Sequence, residues 1–226
     1  MKTAAKVHPK TRKTVSGQKH ATIQSYHHGD LHDALLKAAE TVLERDGVQG
    51  LTLRAAAREA GVSHAAPTHH FGDMTGLISE LAAVGFRRFA AALTNAANAA
   101  ASQSAHARLD AMGIAYVTFA RTYPGLFMLM FRSERLDMER PALKGAARAS
   151  SEALARAVAE HRGETLAPQR PTAAQAAEML RAWSMVHGFA VLLLDHRLDN
   201  FLAMWPGATP DKLLSAMLRQ PPPADH

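Results

Sequence analysis

Apolar residues recur every three or four positions along most of the chain, which is the spacing of one face of a helix. In the first such stretch, Leu31, Leu35 and Val42 share a face, and Gly29 or Asp30, just before them, can cap this helix. Glycine, proline and capping residues interrupt the pattern at intervals, and no segment shows the alternation of a strand. The pattern therefore predicts an all-α protein.

The interruptions divide the chain into nine predicted helices. Thr52 is expected to cap the second helix and Ser63 the third, with a turn at Gly61 between them. In chain order the helices are predicted at about 30–47, 53–60, 64–70, 76–96, 109–119, 126–131, 143–161, 172–198 and 211–218, with 200–206 irregular.

The composition supports helices over sheets and excludes several kinds of chemistry. The 46 alanines far outnumber the 13 valines and isoleucines, which disfavours a sheet-based enzyme fold. The absence of cysteine excludes disulfides, thiolate metal sites and a cysteine nucleophile. The apolar runs at 126–131 and 189–194 are too short to cross a bilayer, and no apolar segment follows the basic N-terminus. We therefore expect a soluble, cytoplasmic protein that does not bind membranes.

The positive charge is confined to the N-terminus. Residues 1–25 carry six lysines and arginines and no acid, whereas the net charge of the whole chain is also +6, so the remainder is neutral. A segment with few apolar residues cannot offset the entropy of ordering, so residues 1–28 are predicted to be a disordered basic arm that attracts polyanions. A solubilising extension with no partner is the alternative.

Residues 52–71 have the pattern of a helix-turn-helix. A short helix, a glycine turn and a second capped helix follow one another, and the second helix of such a unit lies in the major groove of DNA. By spacing alone, an ordinary helical hairpin fits equally well.

Several segments resemble the tetracycline-repressor (TetR) family of bacterial regulators. The resemblance covers 26–89 and is carried by 26–31 (YHHGDL), 50–54 (GLTLR), 60–67 (AGVSHAAP) and 70–73 (HFGD), with Leu77. Further on, 182–188 (AWSMVHG) is similar to the Trp-His-Gly signature of one C-terminal subclass. The segment 123–127 (YPGLF) with 130–131 (MF) resembles the junction of the fifth and sixth helices in that subclass.

The resemblance implies an architecture and a function. Residues 29–89 would form a three-helix DNA-binding head, joined by a long fourth helix to a C-terminal helical bundle at 90–220 that binds a small-molecule effector and the second subunit of a homodimer. Residues 221–226 would be a disordered tail. The protein would repress transcription from a palindromic operator in double-stranded DNA and leave it when the effector binds.

The resemblance also implies roles for individual residues of the head. Thr52 and Arg54 would touch phosphate, and Ser63 would cap the recognition helix. The residues facing base edges would be His64, Ala65 and Ala66, and those meeting phosphate or groove edges would be Thr68, His69 and His70. The chain departs from the family at Thr68, where tyrosine is usual, and at Met74, where lysine is frequent.

The predicted head is poorly charged for binding DNA. Residues 26–75 carry four basic and seven acidic residues, a formal charge of −3. We therefore infer that the arm supplies much of the electrostatic attraction, as arms do in other helical DNA readers.

The effector pocket is predicted from apolar and aromatic residues of the C-terminal helices. Trp183 and His187 lie four positions apart and could supply a stacking surface and a polar group. The other candidates are Phe119, Phe127 and Met128. A packed tryptophan and a hydrogen-bonded core histidine are the alternative interpretation of the first pair.

Other classes of protein lack sequence support. There is no phosphate-binding glycine loop, nucleophile elbow or paired-carboxylate pattern, so no catalytic residue and no cofactor is predicted. His28 and His32 have a metal-ligand spacing, but no carboxylate completes a site, and no metal is predicted. The alternative function is a helical small-molecule or haem-binding protein, with His187 as the ligand, whose head no longer reads DNA.

Overall fold

The computed structural model describes Met1 and residues 28–132, 134–166 and 171–219, and these residues form ten helices and no strand. The all-α prediction is therefore confirmed. The helices are α1 (His28–Gly50), α2 (Leu53–Glu59), α3 (Ala66–Phe71), α4 (Met74–Ala99), α5 (Ala105–Thr122), α6 (Pro124–Arg132), α7 (Pro141–His161), α8 (Ala173–Leu194), α9 (Asp199–Met204) and α10 (Pro210–Leu218). The basic arm at 2–27 and the tail at 221–226 lie outside the described residues.

Most predicted helix boundaries agree with the structure to within a few residues. The backbone of α1 leaves the helical conformation at Gly47, where the sequence predicted the end. Thr52, Asp73 and Thr209 cap α2, α4 and α10 through side-chain hydrogen bonds to backbone N–H groups. Local capping chemistry therefore sets where these helices begin.

The start predicted for the third helix was wrong. α3 begins at Ala66 rather than at residue 64, and its N-cap is Ala65, which makes no side-chain capping hydrogen bond. Ser63 instead accepts a hydrogen bond from Ala66 N through its backbone oxygen, 3.1 Å away, in a turn that precedes the helix. Pro67 lies in the first helical turn, where its fixed φ and missing N–H are tolerated.

The prediction for 172–198 and 200–206 was also wrong. α8 ends at Leu194, and α9 occupies most of the segment expected to be irregular, while 205–206 lie outside a helix. Between α8 and α9, His196 breaks the helical conformation, because its φ of 56° lies in the left-handed region. The sequence prediction failed because the apolar spacing continues through the break to Leu198, which is buried.

Helix α4 is the central element of the fold. It contacts α1 and α3 as well as α5, α6 and α7, so it runs from the head into the C-terminal bundle. Its buried face includes Leu77, Leu81, Phe86, Phe89 and Leu93. A single helix thus contributes to the core of both regions.

Helix α8 leaves much of its apolar surface uncovered. By length and composition it is the one described helix that could cross a membrane, and the α5–α6 pair would add a second span only with a bend of 108°. Only 17% of the most apolar 18-residue segment of α8 is buried. Leu180, Trp183 and Leu192 are exposed on it. The sequence analysis did not single out α8 as a possible span because Arg181, Ser184 and His187 divide its apolar residues into short runs.

Candidate DNA-binding head and effector pocket

The segment 52–71 folds into two short helices joined by a tight turn. Thr52 Oγ1 accepts a hydrogen bond from Ala55 N at 3.0 Å and so fixes the start of α2. Gly61 has a φ of 68°, a conformation that residues with a Cβ rarely adopt, and it reverses the chain after α2. Val62 N then donates to Ala57 O at 3.0 Å, which closes the turn.

The two faces of this unit differ in composition. Ala55, Ala56, Pro67 and Phe71 are buried, and the small side chains of α2 let it pack closely against α1. Most of the residues predicted to contact DNA are exposed on the opposite side. These exposed residues are Thr52, Arg54, Ser63, His64, Ala65, Thr68 and His69.

The last two predicted contact residues, Ala66 and His70, are half-buried. The His70 ring lies beside that of His32 on α1, with centroids 6.0 Å apart, so it lies at the edge of the exposed face. No group of three His, Asp or Glu residues that could hold a metal occurs among the residues the structure describes.

Several charges of the head neutralise one another. Arg45 donates hydrogen bonds to Asp46 at 2.9 Å and to Glu59 at 3.0 Å, and its guanidinium holds the pKa of Asp46 below the ordinary value. Arg54, by contrast, is exposed and has no ion-pair partner in the described part of the chain. It is therefore available to a phosphate.

A cavity of about 730 Å³ lies between α4, α5, α6, α7 and α8. Its size is within the ordinary range for small-molecule pockets. Trp183 and His187 line it, as the sequence predicts. Phe119, Phe127 and Met128 do not line the cavity: the two phenylalanines are buried in the core, and Met128 is half-buried. Those three residues were wrong as predictions of lining residues.

Three polar side chains meet in the wall of this cavity. Trp183 Nε1 donates to Tyr116 Oη at 3.2 Å, and Tyr116 Oη lies 2.8 Å from His187 Nδ1. Burial raises the pKa of Tyr116 well above the ordinary phenol value, so its hydroxyl is protonated near neutral pH. The sequence analysis did not select Tyr116 because its helix face is otherwise apolar; the available signal was that a buried tyrosine hydroxyl needs a partner.

The first contact between head and bundle joins α1 to α6. Glu44 accepts hydrogen bonds from Gly125 N at 3.0 Å and from Leu126 N at 2.9 Å, so a carboxylate from the head caps the N-terminus of α6. A Cβ at Gly125 would lie only 3.0 Å from Leu43 O, so the absence of a side chain permits this close approach. Farther along α6, Met130 and Phe131 line the cavity.

The second contact between head and bundle joins the loop before α7 to α3. Arg140 donates to the backbone oxygen of Phe71 at 3.3 Å, at the C-terminus of α3, and to Glu80 on α4 at 3.2 Å. Asp137 N donates to Ser79 Oγ, a fully buried hydroxyl, at 2.9 Å. Met138 of the same loop lines the cavity. The loop thus contacts the cavity and both α3 and α4.

The exposed helix-turn-helix, the central α4 and the cavity together form an all-helical protein with a helix-turn-helix head and a C-terminal bundle. Residues 35–81 match the model "Bacterial regulatory proteins, tetR family", and residues 109–220 match "Tetracyclin repressor-like, C-terminal domain". The chain belongs to the TetR family of transcriptional regulators, whose members are dimeric DNA-binding proteins.

Solved structures share the fold of this chain. A protein of unknown function from Rhodococcus sp. RHA1 is 38% identical, with a TM-score of 0.69 over 86% of this chain and 95% of that one. A TetR-family transcriptional regulator from Streptomyces coelicolor is 18% identical and shares the fold, with a TM-score of 0.55 over 84% of this chain and 95% of that one. None of the curated proteins compared with the chain matches it.

Proposed function

We propose that the protein is a transcriptional repressor that binds a palindromic operator and leaves it when a small molecule enters the cavity. The observation that carries the proposal is the exposed face of α2, α3 and the turn between them, which combines three hydroxyls, the Arg54 guanidinium and two imidazoles on a helix-turn-helix. Residues 29–89 are the DNA-binding domain, residues 90–220 are the effector and dimer domain, and the C-terminal half is of the Trp-His-Gly subclass.

Each exposed residue has a role in this proposal. Thr52 and Arg54 bind phosphate and fix the orientation of the head. Phosphate contacts of this kind carry no sequence information by themselves. His64, Ala65 and Ala66 face base edges, where alanine methyl groups contact thymine methyl groups or permit close approach. Thr68, His69 and His70 meet phosphate or the edges of the groove, and Ser63 orients the turn before α3.

Two subunits pair through the uncovered apolar surface of α8. Exposed Leu192 supports this pairing, because burying such side chains in an interface is the main source of stability for homodimers. The twofold axis then positions two heads on half-sites roughly 34–36 Å apart, one turn of DNA.

The effector acts through the contacts that Glu44 and Arg140 make between the head and the bundle. Ligand in the cavity displaces α6 and the loop that contains Met138, and Glu44 and Arg140 pass that displacement to α1, α3 and α4. Tilting of α4 changes the separation of the heads and favours the state that cannot bind DNA. Coupling of this kind typically amounts to about 1–3 kcal/mol.

Selection of bound duplexes from a random pool, followed by measurement of affinity, tests the proposal. We expect an inverted repeat, and we expect Arg54→Ala to weaken binding to every duplex by about tenfold and to lower the salt slope by about 0.9, the value of one phosphate contact. Arg148→Ala, on the exposed face of α7, is the matched control and leaves both unchanged. Failure to enrich any sequence would favour the alternative, a helical small-molecule or haem-binding protein whose head no longer reads DNA.

A further inference from the structure

The wall of the cavity is apolar apart from a few polar groups, which include Tyr116, Trp183 and His187. None of its described lining residues is lysine, arginine, aspartate or glutamate. Phe86, Phe89, Phe131 and Trp183 supply aromatic surface from three different helices. A charged ligand would lose hydration on entering the cavity without gaining a carboxylate, ammonium or guanidinium partner from the described wall. Its transfer from water is therefore unfavourable. The described wall therefore disfavours both carboxylates and ammonium ions.

The Trp183–Tyr116–His187 cluster has one hydrogen-bonding position left over. Indole N–H is only a donor, so the Tyr116 oxygen accepts from Trp183. The Tyr116 hydroxyl is protonated and buried. It donates its hydrogen bond to His187 Nδ1. No buried side-chain N or O atom among the described residues lacks a hydrogen-bond partner. A phenol oxygen carries two lone pairs, the second a weaker acceptor because it overlaps with the ring, and the described residues use only one of them.

From these observations we propose that the effector is an uncharged, largely apolar molecule of polycyclic size that carries a hydroxyl group, and that Tyr116 recognises this hydroxyl. The inference rests on the proposed function, because it concerns the same cavity. A hydroxyl can donate to the Tyr116 oxygen, or accept from Tyr116 if His187 changes tautomer, so it fits the cluster in either state. Exposed Trp183 and Leu180 lie where the cavity meets the surface of α8.

Direct binding of four matched fluorescent probes, without DNA, tests the inference. The probes are 1-pyrenemethanol, which is neutral and hydroxylated, pyrene, which lacks a polar group, the anion 1-pyrenecarboxylate and the cation 1-pyrenemethylammonium. The titrations use the full chain with Trp205→Phe. The chain has two tryptophans, so energy transfer to the probe then reports on Trp183 alone. We expect 1-pyrenemethanol to bind at least tenfold more tightly than either ion. Equal or tighter binding of an ion, or no binding of 1-pyrenemethanol, would overturn the inference.

A second comparison tests the role of Tyr116. Tyr116→Phe should weaken binding of 1-pyrenemethanol by about three- to tenfold, the value of one hydrogen bond, and leave the binding of pyrene unchanged. Tyr123→Phe, a tyrosine that does not line the cavity, is the matched control and changes neither affinity. Equal weakening of both probes by Tyr116→Phe would mean that the residue only maintains the shape of the wall, and would refute its recognition role.

The two proposals fail independently. A chain that selects an operator but prefers a charged probe loses this inference and keeps the proposed function. A chain that binds 1-pyrenemethanol in the cavity but shows no preference among duplexes loses the proposed function, and the assignment of the ligand class stands.

Discussion

Replacing Glu44 by glutamine isolates the contact between head and bundle at α6. The substitution preserves the shape of the side chain but turns one of two acceptor oxygens into a donor that faces a backbone N–H. The wild-type carboxylate accepts hydrogen bonds of 2.9 and 3.0 Å from the first turn of α6. The substitution therefore removes one of these bonds, together with the negative charge at the helix N-terminus.

The expected cost follows from these two changes. A hydrogen bond to a charged group contributes about 1.5–3 kcal/mol, and a charge at a helix terminus about 0.3–1 kcal/mol. Glu44 is exposed, so solvent screening keeps the sum at the lower end, about 1–2 kcal/mol of unfolding free energy. For a chain of 226 residues this lowers Tm by about 2–8 °C.

Urea unfolding followed by circular dichroism measures this cost. Glu152→Gln is the control, because Glu152 is also an exposed helical glutamate but makes only a surface ion pair with Arg148, which contributes about 0.5 kcal/mol or less. If the two variants were destabilised equally, the carboxylate would not be holding α6 against α1, and the reasoning about this contact would be refuted.

Three further predictions concern the arm, the loop before α7 and the dimer. Removing residues 2–25 should weaken binding to all duplexes and lower the salt slope by about 0.9 for each phosphate that the arm neutralises; an unchanged slope in a salt titration would contradict the role of the arm. Arg140→Met should cost about 1–2 kcal/mol in urea unfolding, because Phe71 O and Glu80 lose a donor, and a change below about 0.5 kcal/mol would argue against it. Leu192→Glu adds a charge to the exposed apolar face of α8, so light scattering should show a monomer; a persistent dimer would place the interface elsewhere.

The helices and the exposed face of the head could be predicted because both depend on local chemistry. Capping by Thr52, Asp73 and Thr209 and the turn at Gly61 involve residues only a few positions apart. The errors at Ser63 and at 200–206 arose where more than one local interpretation was available: serine could cap or turn, and apolar spacing continued past His196.

The internal chemistry of the site could not be predicted because it depends on contacts between distant parts of the chain. Tyr116 meets Trp183 and His187 across 67 and 71 positions, and Glu44 meets Leu126 across 82. Phe119 and Phe127 have the same residue type and helical spacing as lining residues, yet they point into the core. Only the packing of the helices determines which aromatic side chains border the cavity.

The most direct test of the account is the ratio of two affinities of the dimer, measured at about 150 mM salt. One is for the selected inverted repeat, and the other is for a scrambled duplex of the same length and composition. If α3 reads base edges, the repeat should bind roughly a thousandfold or more tightly than the scrambled duplex. A ratio near one would show that the exposed face of α2 and α3 does not read sequence, and it would contradict the proposed function.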